Sequence, residues 1–204
     1  MQTMRTFVAI EIPQDVKKVL RAEQDRLREL PALRDQRQVL RWTNPDNLHL
    51  TLRFLGETET GPRSRLQSGL ADIAARHAPF RLALTHLGCF RSWTNLRVLW
   101  VGIRSEREAL QALQADVESV AQRAGFAPER NSFSPHITLA RTVRNAPRPA
   151  LRATSEQLRR YAEEDLFQSG TGWSVGELHF IRSVLGRGGA QYSNLATCAL
   201  SNRA

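Results

Sequence analysis

Apolar residues in this 204-residue chain fall into two rhythms, strict alternation and recurrence every three to four positions. Arg5 to Ile12 alternates and predicts a strand, with Phe7 and Ala9 on one face and Val8, Ile10 and Ile12 on the other. Pro13 ends it and can open a helix, because a first-turn proline gives up no useful donor. Val16, Val19, Leu20, Leu27 and Leu30 then recur at helical spacing. Arg41 to Leu55 contains a second alternating strand, closed by Gly56. Pro62 opens a second helix with Leu66, Leu70, Ile73 and Ala74 on its apolar face. Arg81 to Phe90 and Leu96 to Ile103 predict two strands joined by the polar turn around Ser92 to Asn95. Leu110, Leu113, Val117 and Val120 mark a third helix that stops at Gly125. A further strand runs from about Phe133 to Arg141, followed by a Pro-containing linker at Asn145 to Pro149 and a weaker helical stretch at Leu151 to Tyr161. Trp173 to Val184 and Gln191 to Leu200 close the chain as two strands around Gly186, Gly188 and Gly189. That glycine spacing fits a permissive hairpin loop and not a nucleotide-binding fingerprint. Strands and helices interspersed, with hairpins in place of strict alternation, predict an α+β fold with mostly antiparallel sheets.

Two of the strands carry one pattern twice: His49-Leu50-Thr51-Leu52 and His136-Ile137-Thr138-Leu139. Alternate side chains of a strand share a face, so His49 lies beside Thr51 and His136 beside Thr138, with Leu48, Leu50 and Leu52, or Ile137 and Leu139, opposite. If the two strands meet, one imidazole can take a proton while the other gives one, and the hydroxyls can hold phosphate oxygens between them. A lone histidine on a half-buried strand is usually structural. Two copies of the pattern among five histidines argue otherwise, whereas His77, His86 and His179 lack the threonine partner and read as structural or exposed.

Composition narrows the partners. Lys and Arg number 29 against 20 Asp and Glu, a formal net charge of +9, and Lys17 and Lys18 are the only lysines. A basic surface attracts polyanions, and the planar guanidinium binds phosphate through a fork that lysine lacks. No apolar run approaches the ~20 residues of a membrane span. Phe7 to Ile10 is too short for a signal-peptide core, and Cys89 and Cys198 make neither a metal-type pair nor a disulfide framework. The expected setting is the cytoplasm, with no membrane.

These residues resemble a known family. The two His-x-Thr-x motifs are similar to those of the 2H (two-histidine) phosphoesterase superfamily, and most similar to the RNA 2′,3′-cyclic phosphodiesterases, historically called 2′-5′ RNA ligases. The resemblance covers Arg5-Thr6-Phe7-Val8-Ala9-Ile10, the run Asn47 to Gly56, Arg97-Val98-Leu99-Trp100-Val101-Gly102 and Pro135 to Arg141, and more loosely the stretch around Tyr192. It implies one bilobal α+β domain over residues 1–204, with two mostly antiparallel sheets flanked by helices. Each lobe gives one His strand to a groove between them. It implies His49 as proton donor, His136 as proton acceptor, and Thr51 and Thr138 on the non-bridging oxygens. Arg141 matches a trailing arginine near the phosphate, but its parity is opposite to that of His136, so a bend after Leu139 is required. Arg53 shares parity with His49 and is a second candidate. Phe7, Trp42 and Tyr192 are candidates for stacking on a base.

The implied reaction is hydrolysis of a 2′,3′-cyclic phosphate end to a 2′-phosphate without metal or other cofactor. Run in reverse, the same site joins RNA ends without ATP. The expected substrate is RNA with such an end, tRNA-like or a small oligonucleotide, acted on by a monomer. A metal-dependent phosphodiesterase is disfavoured, since only Asp46 and Glu57 lie near the motifs. A non-catalytic RNA-binding module using arginine and aromatic residues is the remaining alternative, and it leaves the doubled motif without a purpose.

Overall fold

The computed structural model describes residues 3–34, 39–106, 108–163, 170–186 and 189–201. In chain order the elements are β1 (Met4–Glu11), α1 (Gln14–Glu29), α2 (Pro31–Arg34), β2 (Leu40–Trp42), a 3₁₀ turn (Pro45–Asn47), β3 (His49–Thr58), α3 (Thr60–Ala74), β4 (Phe80–Ser92), β5 (Asn95–Ser105), α4 (Ala109–Arg123), β6 (His136–Thr142), α5 (Arg148–Ala162), β7 (Gly172–Val175), β8 (Glu177–Gly186) and β9 (Gly189–Ala199). The strands pair in the order β7-β4-β5-β6-β3-β1-β8-β9, with β2 added to β6. The pairings are antiparallel, which is the α+β arrangement the patterning predicts.

The path divides at its centre. β3 and β6 share a single ladder pair, Leu50 with Ile137, so the two expected sheets are two leaves joined by one seam. Helices α3 and α4 pack on each other and lie behind the β3 and β9 leaf, and α5 lies behind β4 and β5. The predicted apolar rows are buried: Leu66, Leu70 and Ile73 on α3, and Leu110, Leu113, Val117 and Val120 on α4. On α1, Val16, Leu20 and Leu27 are buried, but Val19 is left in solvent.

Several boundaries differ from the pattern. The alternation from Trp173 to Val184 is two strands, not one. β7 pairs with β4 and β8 with β1, and only Gly176 separates them. Because β7 edges the path and β8 lies near its other end, one intervening residue forces the sheet to curl into a half-barrel. The Arg41 to Leu55 stretch is broken by the 3₁₀ turn, where Asn44 accepts a hydrogen bond from the Asp46 N–H and Pro45 removes a donor. Gly56 does not end β3. Its φ of +72° lets the strand bulge at Leu55 and continue to Thr58. The expected linker at Asn145 to Pro149 already holds the start of α5, because proline suits a first helical turn. Gly125 follows α4 at a φ of +102°, as a stop signal should. Gly188 lies outside the described residues.

Candidate active site

The seam brings the two motifs to one place. His49, Thr51, His136 and Thr138 line a single open cavity of about 630 Å³, with Leu50, Leu52, Ile137 and Leu139 buried behind them. Each imidazole is held by the chain two residues before it. His49 Nδ1 lies 2.7 Å from the Asn47 carbonyl, and His136 Nδ1 lies 2.7 Å from the Ser134 carbonyl. A carbonyl only accepts, so both Nδ1 atoms donate, and each Nε2 is left to exchange a proton.

Aromatic rings brace both histidines. Phe7 stacks on His49 at 4.8 Å between centroids, and Tyr192 meets it edge-on at 5.3 Å. Phe90 meets His136 edge-on at 4.6 Å, with Trp100 at 6.2 Å. Trp100 lies across Gly88 of the neighbouring strand, where a Cβ would run into the indole, so only glycine fits beneath it.

Electrostatics disfavour the charged form of both imidazoles. Burial is the largest influence on each and pulls both below the ordinary histidine range, against the upward pull of the carbonyl bonds. Lys17, His136 and Arg141 push His49 further down, and Arg141 does the same to His136. Burial also raises the Tyr192 phenol, which keeps its proton.

A bulge within each motif aims the residues beyond it. On β6, Leu99 pairs with Ala140 but Trp100 with Thr138, so Leu139 is the extra residue. The bulge reverses parity and turns Arg141 into the cavity, supplying the bend that its position required. The Leu139 carbonyl accepts from the Thr43 N–H at 2.8 Å and from the buried Gln24 Nε2 at 3.0 Å. On β3, Val8 pairs with Arg53 but Ala9 with Thr51, so Leu52 is extra in the same way. Here the reversal removes Arg53 from the site. Its side chain is 7% exposed and ion-paired behind the sheet with Glu118 at 2.5 Å and Glu129 at 3.2 Å. It also donates to the Phe54 and Ala127 carbonyls.

Of the aromatic candidates, Tyr192 lines the cavity beside His49. Phe7 reaches it too, but is 3% exposed, so its ring is committed to His49 and Tyr192. Trp42 is not brought in. Arg41 and Thr43 line the cavity, and Trp42 between them points away beneath the Arg28 guanidinium at 4.8 Å. Among the cavity residues that escaped the sequence reading are Arg5, Arg41 and Phe54. Arg41 shares parity with His49 in the stretch that reads as one strand, and Arg5 shares parity with Phe7. Nothing in the sequence marks Phe54, which the Leu52 bulge turns outward to 43% exposure.

This fold, with paired His-x-Thr strands across one cavity, is that of a superfamily. A family model for the 2′-5′ RNA ligase superfamily matches residues 14–187, and the chain belongs to it. An RNA 2′,3′-cyclic phosphodiesterase of Geobacillus stearothermophilus is 34% identical over 142 residues, 69% of this chain and 43% of that protein. One from Escherichia coli K12 is 31% identical over 145 residues, 71% of this chain and 76% of that one. One from Archaeoglobus fulgidus is 27% identical over 192 residues, 94% of this chain and 98% of that one. The chain thus spans less than half of the Geobacillus protein and nearly all of the Archaeoglobus one. Among solved structures, TT0787 of Thermus thermophilus superposes with a TM-score of 0.76 at 26% identity, covering 97% of this chain and 98% of that one. Escherichia coli LigT complexed with 3′-AMP superposes with a TM-score of 0.72 at 27% identity, covering 98% and 99%.

Proposed function

We propose that this protein hydrolyses 2′,3′-cyclic phosphate ends of RNA to 2′-phosphates, with His49 and His136 as the acid–base pair and no metal. One observation carries the reading: two imidazoles, each fixed through Nδ1, present both Nε2 atoms to one cavity. Among the described lining residues are three arginines, Arg5, Arg41 and Arg141, and no carboxylate. That lining suits a phosphate anion, and the names of the relatives agree.

In the reaction, His136 Nε2 takes a proton from water as its oxygen bonds to phosphorus. The bond from phosphorus to the ribose 3′ oxygen breaks, and His49 Nε2 gives that oxygen its proton. Thr51, Thr138 and Arg141 hold the non-bridging oxygens, where charge gathers in the transition state. Burial and Arg141 disfavour the charged form of both imidazoles, and the anionic substrate offsets this by favouring protonation of His49 as it binds. A 5′-hydroxyl in place of water gives ligation by the same steps, without ATP. Residues 1–204 act as one bilobal domain. A monomer in the cytoplasm suits the two free thiols, Cys89 and Cys198, and no helix among the described residues is long and apolar enough to cross a membrane.

The test is turnover of a nucleoside 2′,3′-cyclic phosphate under exhaustive chelation, with the product phosphate located. A 2′-phosphate is expected. Loss of turnover that a divalent ion restores overturns the mechanism. A substrate with sulfur at the bridging 3′ position needs no acid, because thiolate leaves unaided. His49→Ala should therefore recover on it and His136→Ala should not; the opposite pattern exchanges the two roles.

A further inference from the structure

A second groove, of about 860 Å³, opens where β6 ends, between α5 and the β4–β5 hairpin. Arg97, Arg144, Arg148 and Arg152 line it. Its one carboxylate, Glu156, is already held by Arg159 at 3.0 Å and Arg160 at 3.1 Å. Among the described residues no ion pair or hydrogen bond engages the four lining guanidinium groups, so their charge faces solvent unneutralised. Trp93 lies partly exposed on the wall, its carbonyl taken by the Ser155 hydroxyl. Unpaired arginines beside an aromatic ring are the composition of a surface that tracks a single nucleic-acid strand.

The groove adjoins the catalytic cavity around the end of β6, on the opposite face of the sheet. Arg141 lines the cavity, and Thr142 to Arg144 line the groove. Arg144 lies in the turn three residues after Arg141, within about 10 Å of chain, the axial rise of about three stacked nucleotides. Across the sheet, Val98 pairs with Arg141 on the cavity face, and Arg97, the next residue of β5, lines the groove from the other face.

Building on the proposed activity, we infer that this groove holds the phosphates of the RNA strand upstream of the cyclic end, so the enzyme takes oligonucleotides in preference to mononucleotides. Arg148 and Arg152 are one helical turn apart on the exposed face of α5 and each contact one phosphate.

The test compares a nucleoside 2′,3′-cyclic phosphate with a ten-nucleotide RNA ending in one, using the double variant Arg148→Ala, Arg152→Ala and, separately, Arg97→Gln, Arg144→Gln. Binding of the decamer's 2′-phosphate product is followed against salt. Each pair should lower kcat/KM for the decamer by roughly tenfold. Each should also flatten the slope of log affinity on log salt by about 1.4, at roughly 0.7 per single-strand contact. Mononucleotide kinetics should not change. Wild-type decamer kinetics and slope in both variants overturn the inference, as does an equal loss on both substrates. If RNA binding is untouched while adsorption to anionic phospholipid vesicles falls, the groove serves a membrane and the inference is wrong. Should the wild type turn over neither substrate, the proposed activity fails, and the slope of product binding still decides the groove.

Discussion

β3 and β6 begin alike and end differently. Each opens with a histidine whose Nδ1 is tied to the carbonyl two residues back, adds a threonine on the same face, and bulges at the fourth residue of the motif. After the bulge, β3 sends Arg53 backward to Glu118 on α4 and Phe54 forward; β6 sends Ala140 backward and Arg141 forward. One inserted residue therefore decides whether an arginine holds a leaf to its helix or faces the cavity. The identical halves of the motifs hold the proposed acid–base pair. The divergent tails give one leaf an anchor and an apolar ring, and the other a charge.

The largest effect tests the part the strands share. His49→Ala and His136→Ala should each lower kcat by about 10²–10⁴-fold, with circular-dichroism melts near wild type. A loss of activity that follows a loss of folding would return that histidine to a structural role.

The next prediction exchanges the arginines. Arg53→Met removes the cation from a buried pair and should cost about 3–5 kcal/mol of stability, read from urea midpoints, while the folded protein keeps its kcat. Arg141→Met should keep the midpoint and lower kcat by roughly 10²-fold. If the two phenotypes are exchanged, the bulges are misassigned. The Arg53 partner adds a pH signature. Burial alone would raise the Glu118 carboxyl, but bonds from Gln122 and the Glu129 N–H, with Arg53, hold it below its ordinary value. Its stabilising share is thus present above the unfolded carboxylate range and lost as pH falls through the folded value.

A smaller effect concerns the support of the β6 bulge. Gln24→Met deletes a buried donor shared by the Leu139 and Thr43 carbonyls and should cost about 1–3 kcal/mol. It should also lower kcat by loosening Arg141. The same variant combined with Arg141→Met should show no further kcat loss; additive losses would mean that Gln24 acts elsewhere.

The smallest effect is a shift in pH dependence. The proposed mechanism needs one charged and one neutral histidine, and both are pulled below about 6.5. The maximum of kcat/KM should therefore lie on the acid side of pH 6.5, falling as pH rises. Arg141→Gln removes a charge that lowers both groups, so both limbs should move to higher pH by a fraction of a unit. The limbs belong to the coupled pair. Movement to lower pH would contradict the electrostatics described.

Alternation and helical spacing were legible wherever burial imposed them, as at Leu48 to Leu52 and along α3 and α4. So was the pairing of His49 with Thr51 and His136 with Thr138. What stayed hidden depends on which strand meets which. Bulges at Leu52 and Leu139 are answers to partner strands distant in the sequence; the first explains why Arg53 leaves the site and Phe54 enters it, and the second why Arg141 enters. The break at Gly176 is of the same kind, since a period-2 pattern continues unchanged while its pairing partner changes. Trp42 misled because the residues beside it, not the aromatic ring, face the cavity.

The single ladder pair between Leu50 and Ile137 has a thermodynamic consequence. A ligand gripped by Thr51 from one leaf and Thr138 from the other is released when either leaf unfolds, so it couples their stabilities as a reversible cross-link would. At one hundred times its dissociation constant such a ligand adds about 2.7 kcal/mol. An anion in the cavity then adds cohesion to the single ladder pair and the shared core, so occupation should raise the melting midpoint of both leaves together.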